Sequence, residues 1–105
     1  MEVSIPQLSS EQLVAAREAA TQARRSRAEL KEAVRTGQLS FVAALGKACD
    51  DEVLSRIKVV DLLRAVPRVG ATRAQEIMEQ LQIAPNRRIR GLGRHQIERL
   101  SEQFQ

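Results

Sequence analysis

Between Pro85 and Gln96 the chain places Arg87, Arg88, Arg90 and Arg94 around Gly91 and Gly93, immediately ahead of a helix. Arginine offers a fixed charge and a planar fork of donors that matches phosphate oxygens. Glycine allows the backbone to come close to another molecule. A helix N-terminus adds outward amides and the positive end of a dipole. The chemistry these residues suit is the holding of a polyanion through its phosphates. A solvated basic loop is the plainer alternative, but from Arg87 to Arg94 no acid intervenes before Glu98. Ile89 and Leu92 are expected to anchor the loop while the arginines face out.

A second segment has related features. Leu63-Arg64-Ala65-Val66-Pro67-Arg68-Val69-Gly70 reads as a helix end, a tight turn and the start of another helix. Gly70 is expected to take a backbone conformation that other residues resist, leaving the amides around Gly70 and Ala71 facing an anion. This is the pattern of a helix-hairpin-helix; a purely structural helical hairpin is the competing reading. A third basic group, Arg24, Arg25 and Arg27, reads either as a solvated helix face balanced by Glu18, Glu29 and Glu32 or as a secondary nucleic-acid contact.

The elements that must position these groups are helical. Ser9 and Gln12 have capping-box spacing, and nothing breaks a helix from there to about Arg35. Leu13, Ala16, Ala20, Ala23, Leu30 and Val34 follow helical spacing, but the middle of that stripe is alanine. The first half is therefore expected to project rather than pack. Gly37 is the expected C′ residue of this helix. A short helix over Leu39–Cys49 is capped by Ser40, and Asp50-Asp51 cap a further one over Glu52–Ser55. A helix from Val59 ends at Val66, because a residue before proline disfavours the helical region. Residues 71–82 and Arg94–Gln103 complete the set, with Ala74, Ile77, Met78 and Leu81, then Ile97, Leu100 and Phe104, facing inward. Val53, Leu54, Ile57, Val60, Leu62, Leu63 and Val66 supply much of the core. No strand pattern or internal repeat is visible, so the fold class is all-α. Residues 1–8 are expected to form a flexible, extended lead-in, 9–36 a long helix, and 37–105 a compact helical domain.

Composition narrows the partner. The 105 residues carry a formal charge of +4, and 14 Arg with 3 Lys make up the 17 basic residues. Residues 1–52 hold 7 basic and 8 acidic side chains, while 53–105 hold 10 and 5. The C-terminal half is thus the basic one, which favours nucleic acid, anionic lipid or an acidic protein. The excess of Arg over Lys fits directional phosphate recognition, and GC-rich coding would produce the same bias. Catalysis has no support. His95 is the only histidine and reads as a helix-start residue or phosphate contact, without a nucleophile beside it. Cys49 is single, which excludes an internal disulfide or cysteine metal cluster, and its apolar neighbours suggest a buried, inert thiol. Asp50-Asp51 read as capping rather than as a metal site, and no phosphate-binding Walker loop, cofactor motif, signal peptide or membrane span is present. The expectation is an intracellular protein.

Taken together, Leu63, Pro67, Val69-Gly70, Ala74, Ile77-Met78, Leu81, Ile83, Arg87-Arg88 and Arg90-Gly91-Leu92-Gly93 form an extended pattern. Upstream it continues through the Ala/Arg-rich helix (Ala15–Leu30) and Asp51-Glu52-Val53-Leu54-Ser55-Arg56-Ile57-Lys58-Val59. The pattern resembles the actinobacterial, mycobacterial-type integration host factor family over nearly the whole chain, with residues 1–12 and 36–48 matching loosely. The resemblance implies a long helix followed by a helix-two-turns-helix domain similar to that of formamidopyrimidine-type glycosylases and to part of ribosomal protein S13. It implies a cytoplasmic nucleoid-associated protein, not an enzyme and without a cofactor. Such a protein binds duplex DNA with little sequence preference, bends it, and affects supercoiling and phage integration, acting as a monomer and meeting integrase–DNA complexes. Carried over by position, Pro67, Arg68, Val69, Gly70, Ala71, Thr72 and Arg73 would meet one run of phosphates. Arg87, Arg88, Arg90 and the amides of Gly91, Leu92, Gly93 and Arg94 would meet another. Arg24, Arg25, Arg27, Arg56 and Lys58 form a secondary set. The competing readings are an RNA- or ribosome-associated module of the S13 kind and an adaptor using the alanine-rich helix to bind proteins.

Overall fold

The computed structural model describes residues 9–104, so the lead-in expected for residues 1–8 lies outside it. Among the described residues five α-helices occur in order: α1 (Ser10–Arg35), α2 (Phe41–Cys49), α3 (Val59–Ala65), α4 (Ala71–Gln80) and α5 (Arg94–Gln103). Two 3-10 turns, Leu54–Arg56 and Ile89–Gly91, lie in the connections. Among the described residues there is no strand, and the all-α class holds.

The start of α1 is fixed by its own side chains. Ser9 Oγ accepts the Gln12 amide at 3.1 Å and Gln12 Oε1 accepts the Ser9 amide at 2.8 Å, the reciprocal capping box that the spacing predicts. Its end is fixed by Gly37, at φ +80°, whose amide donates to the Val34 carbonyl at 3.2 Å. Between these ends, residues 10–20 are exposed, Leu13 and Val14 included, and only Leu30 and Val34 are buried. Two buried aliphatic residues in a helix of about 39 Å are enough to dock one end and no more. The first half therefore projects as expected, which accounts for extents of 60 × 30 × 24 Å.

The core forms where α3 and α4 pack as a hairpin against the C-terminal end of α1, with α2, the 3-10 turns and α5 closing the other side. Leu62, Leu63, Ala74 and Leu100 are fully buried, and Leu45, Val59, Ile77 and Ile89 nearly so. Of the residues expected inside, Val53, Val60, Val66, Ile97 and Phe104 are only half-buried. Phe41 and Phe104 stack on each other with ring centroids 4.3 Å apart, joining α2 to the end of α5.

Four local expectations need correction. Cys49 is exposed rather than buried: it ends α2, one residue past the inward-facing Ala48, so its side chain points to the rim. Its thiol pKa is nevertheless raised, first by partial desolvation against the domain and second by the Asp50 carboxylate, so it stays a protonated, weak nucleophile. Of the aspartate pair only Asp51 caps, its Oδ1 accepting the amides of Val53 at 2.8 Å and Leu54 at 3.0 Å. The element it caps is a 3-10 turn over Leu54–Arg56 rather than a helix over 52–55. Helix α4 ends at Gln80, two residues early, because Gln82 turns left-handed at φ +57°. The amides of Gln82 and Ile83 then bond back to Glu79 and Met78, at 3.2 and 2.8 Å, closing the helix over the buried Ile83.

The fourth correction concerns the Pro67 turn. Gly70 is ordinary extended backbone at φ −87°, ψ −176°. The left-handed residue is Arg68, at φ +73°, two residues earlier. Val69 donates to the Val66 carbonyl at 3.0 Å, enclosing a four-residue turn with Pro67 second and Arg68 third. A third-position residue at positive φ is the type II arrangement, which glycine or asparagine usually fills. Keeping a side chain there costs roughly 1 kcal/mol or more, and the residue kept is a cation. Arg68→Gly is therefore expected to leave the melting temperature level or higher, since relief of strain outweighs the entropy glycine adds to the unfolded chain. The same change should weaken binding to a polyanion. Thermal denaturation beside a binding titration checks both, and a lower melting temperature would show that the side chain supports the turn.

Candidate nucleic-acid interface

The arginine loop is held by a device that sequence reasoning missed. Lys58 and Arg88 form an isolated antiparallel bridge. Val59 donates to the Arg87 carbonyl at 2.9 Å and Ile89 donates to the Ile57 carbonyl at 3.0 Å. The signal is present but short: Ile57 and Val59 are buried around the exposed Lys58, and Ile89 is buried between the exposed Arg88 and Arg90. Three residues of alternation on each side fall at the lower limit of strand length. The bridge places Lys58 beside Arg88 on one outer edge.

Within the loop the three arginines differ. Arg88 Nη1 donates to the Arg56 carbonyl at 2.6 Å, so its guanidinium is tethered across the bridge. Arg87 folds back toward the Gly91 carbonyl, 3.4 Å from its Nη1, and a Cβ on Gly91 would stand 2.9 Å from Arg87 Cδ. Gly91 thus leaves room for Arg87 to lie flat. Gly91→Ala should push that side chain outward, and a several-fold change in polyanion affinity with unchanged circular dichroism is expected. Equal affinity would show that the resting position of Arg87 is irrelevant.

The amides expected to face phosphates after this loop are mostly occupied. Gly91 donates to the Arg88 carbonyl at 2.9 Å and Leu92 to the Ile89 carbonyl at 3.1 Å. Gly93 donates to Gln96 Oε1 at 2.9 Å. The loop folds into a 3-10 turn and then into α5, whose Gln96 reaches back, and both consume N–H groups. Gln96 also donates to the Gln82 carbonyl at 3.2 Å, tying α5 to the end of α4. At the Pro67 turn the outcome is different. No side chain caps α4, whose N-cap is Gly70, so its first-turn amides, from Ala71 to Arg73, face outward. The first-turn amides of α5, from Arg94 to Gln96, are likewise without a side-chain cap, since its N-cap is Gly93, so both segments can use helix-start amides and only the loop amides from Gly91 to Gly93 are withdrawn.

Helix α1 carries its charges on separate faces. Arg17, Arg24, Arg27, Lys31 and Arg35 recur at spacings of three, four and seven and share one side. Glu11, Glu18 and Glu29 share the opposite side, and Arg25 falls with them. The cationic side faces a cleft of about 730 Å³, into which Arg24, Arg27 and Lys31 reach from α1, Arg56 and Lys58 from the bridge, and Arg88 and Arg90 from the loop. Asp61 is the one carboxylate in its wall. The structure thus brings together four of the five residues of the secondary set and leaves out Arg25. A shallow groove over Asn86–Gly91 shares Arg88 and Arg90 with this cleft. On the other side, Lys31 and Asp61 lead into a groove beside Arg35 and Arg64, and those two lead on to the Pro67–Gly70 turn. The two predicted segments are therefore joined by one basic band with the cleft at its middle. Lys31, Arg35 and Arg64, which sequence spacing did not single out, belong to it.

Two acids line the band, Asp61 and Glu32, and Glu32 pairs with Arg35. Glu29 and Asp51 line the opposite flank of α1, and the ion pairs Arg73–Glu76 and Arg94–Glu98, at 3.4 and 3.6 Å, are exposed pairs within single helices. Such pairs contribute little to stability. They do soften the charge of Arg73 and Arg94. His95, 3.8 Å from Glu98, is exposed on α5. Among the described residues no cluster of potential metal ligands occurs, and no helix is long and apolar enough to cross a membrane.

Comparison with known proteins agrees with this architecture. A family model described as the S13-like H2TH domain matches residues 34–104. The integration host factor of Mycobacterium tuberculosis is 50% identical over 102 residues, which cover 97% of this chain and 97% of that protein. The integration host factor of Mycolicibacterium smegmatis is likewise 50% identical over 102 residues, with 97% of each chain covered. A solved structure of sIHF bound to an 8 bp palindromic DNA superposes with a TM-score of 0.80 at 40% identity, over 84% of this chain and 99% of that one.

Proposed function

We propose, from the premise that this chain belongs to the integration host factor family and carries its S13-like H2TH domain, that it binds duplex DNA through phosphates and shapes it. The family is one of host factors, and the chain is not an enzyme. The observation that carries the reading is the basic band from the Pro67 turn through the α1 cleft to the Arg87–Arg90 loop. The DNA-bound sIHF structure is support from a relative.

Phosphate contacts position a protein without reading sequence, and the band offers guanidinium groups and α4 amides rather than a helix inserted edgewise to meet bases. The expected result is low sequence preference. Neutralising phosphates on one side of a duplex leaves the other side self-repelling, which bends the DNA toward the protein. A bend of the usual size costs about 1–6 kcal/mol, an amount that added contacts offset. Arginines entering a narrowed minor groove would add to the effect. A protein acting in this way, as a monomer in the cytoplasmic nucleoid, would alter supercoiling and assist site-specific integration by shaping DNA for an integrase complex.

With about four to six phosphates neutralised, log K should fall against log salt with a slope of roughly −4 to −5. An end-labelled duplex should show higher energy transfer on binding. A slope near zero would remove the electrostatic account, and an unchanged end-to-end distance would remove bending. Parallel titration of structured RNA separates this reading from an S13-like RNA module: tighter RNA binding at equal salt would favour the latter.

A further inference from the structure

The cleft between α1 and the Arg88–Arg90 loop concentrates more charge than a duplex edge can use. Seven cations converge on about 730 Å³ against the single Asp61. One DNA strand offers a charge every 3.4 Å or so along the axis, so a recess of this size admits about two or three phosphates on a convex rod. Its volume falls in the range of small-molecule sites, roughly 300–1,000 Å³. The lining selects the ligand. Ile57 is the one apolar residue in the wall, and it is itself buried, so an apolar ligand gains nothing. Phe41 and Phe104 stack on each other and neither borders the cleft, so no platform exists for a base. The walls are held in place, since the Arg88 tether and the Lys58–Arg88 bridge fix one side and buried Leu30 and Val34 dock α1 on the other. Among the described residues, Arg56 is the one cation of the seven paired with a carboxylate, at 3.8 Å to Glu52.

The geometry points to a binding site for compact polyphosphates, chains of three or more phosphates, free or carried on a nucleoside. The same cations serve the DNA band, so such a ligand competes with duplex. The competition rests on the DNA reading, and the site does not. Tripolyphosphate titrated into the full chain at fixed ionic strength should give one saturable calorimetric event. Amide shifts should gather at Lys31, Arg56–Lys58 and Arg88–Arg90, and orthophosphate should bind about tenfold or more weakly. ATP and GTP should bind alike, and a strong preference for one nucleoside overturns recognition through phosphates alone. Arg24→Ala with Lys31→Ala should weaken tripolyphosphate about tenfold or more, while Lys47→Ala, on the opposite flank, should not. Shifts scattered over every basic residue, or equal loss in both variants, overturn the site. Added tripolyphosphate should then release labelled duplex beyond the effect of matched sodium chloride. Site binding without release overturns the competition alone, and a duplex that never binds overturns the DNA reading while leaving the site standing.

Discussion

Replacing Arg87, Arg88 and Arg90 together with alanine is expected to lower duplex affinity about 100-fold at 0.1 M salt, for unrelated sequences alike, with the fold intact. Each neutralised phosphate contributes about 0.9 to the salt slope. Removing three such arginine–phosphate pairs would take away about 2.7 decades between 1 M and 0.1 M salt, and removing two about 1.8. The range reflects geometry: Arg88 is shared with the Arg56 carbonyl, whereas Arg90 has no such tether. All three side chains are exposed and the loop is anchored by Ile89 and the backbone bridge, neither of which the substitutions touch. Circular dichroism should therefore be unchanged. The salt slope should flatten by about 2 to 3. A decrease confined to one DNA sequence would indicate base readout, and an unchanged slope would show that the loop faces away from the duplex. Arg88→Ala measured singly separates the two roles. If the tether matters more than the charge, it will disturb the amides of Arg56–Lys58 as well as affinity.

The helices are legible in the sequence because their signals are local. The Ser9/Gln12 spacing, Gly37, Ser40 and Pro67 each act within four residues, and α1, α2 and α3 begin or end within two residues of the positions they mark. The apolar face of α4 is legible for the same reason, since Ala74, Ile77, Met78 and Leu81 are all buried. The features that escape depend on partners distant in sequence or on backbone angles. The Lys58–Arg88 bridge joins segments thirty residues apart, and nothing in either segment names the other. Arg68 at positive φ runs against the preference that makes glycine the natural choice, so Gly70 attracts the expectation. The charge asymmetry of α1 is readable from spacing alone. That its cationic side closes a cleft with Arg56, Lys58, Arg88 and Arg90 requires knowing where α3 lies. The loop amides mislead for a different reason: glycine-rich segments suggest free N–H groups, but here a 3-10 turn and Gln96 use them.

Leu63→Ala should lower the unfolding free energy by about 3–4 kcal/mol, within the range measured for leucine truncations in cores. Leu63 is fully buried in α3, the helix that packs against both α4 and the end of α1. Truncation removes aliphatic packing from the helix that joins the other two. The surroundings are poorly placed to collapse into the space, because α3 and α4 are buried through Leu62, Ala74 and Ile77 and the Pro67 turn fixes the α3–α4 connection. A small domain with an aliphatic core has modest stability to lose, so a drop of this size should bring the midpoint of thermal unfolding down by well over ten degrees. The consequence for function is specific. The basic band depends on α3 to hold α1 against the Arg88 side of the cleft, and Leu63 itself meets no phosphate. Duplex affinity should therefore track the folded fraction alone. Raising the temperature across the transition while following both circular dichroism and duplex binding tests this, and the two should decline together. Binding that persists after the helical signal has gone would mean that the arginines act as a disordered polycation, and the band would not need the fold to assemble it.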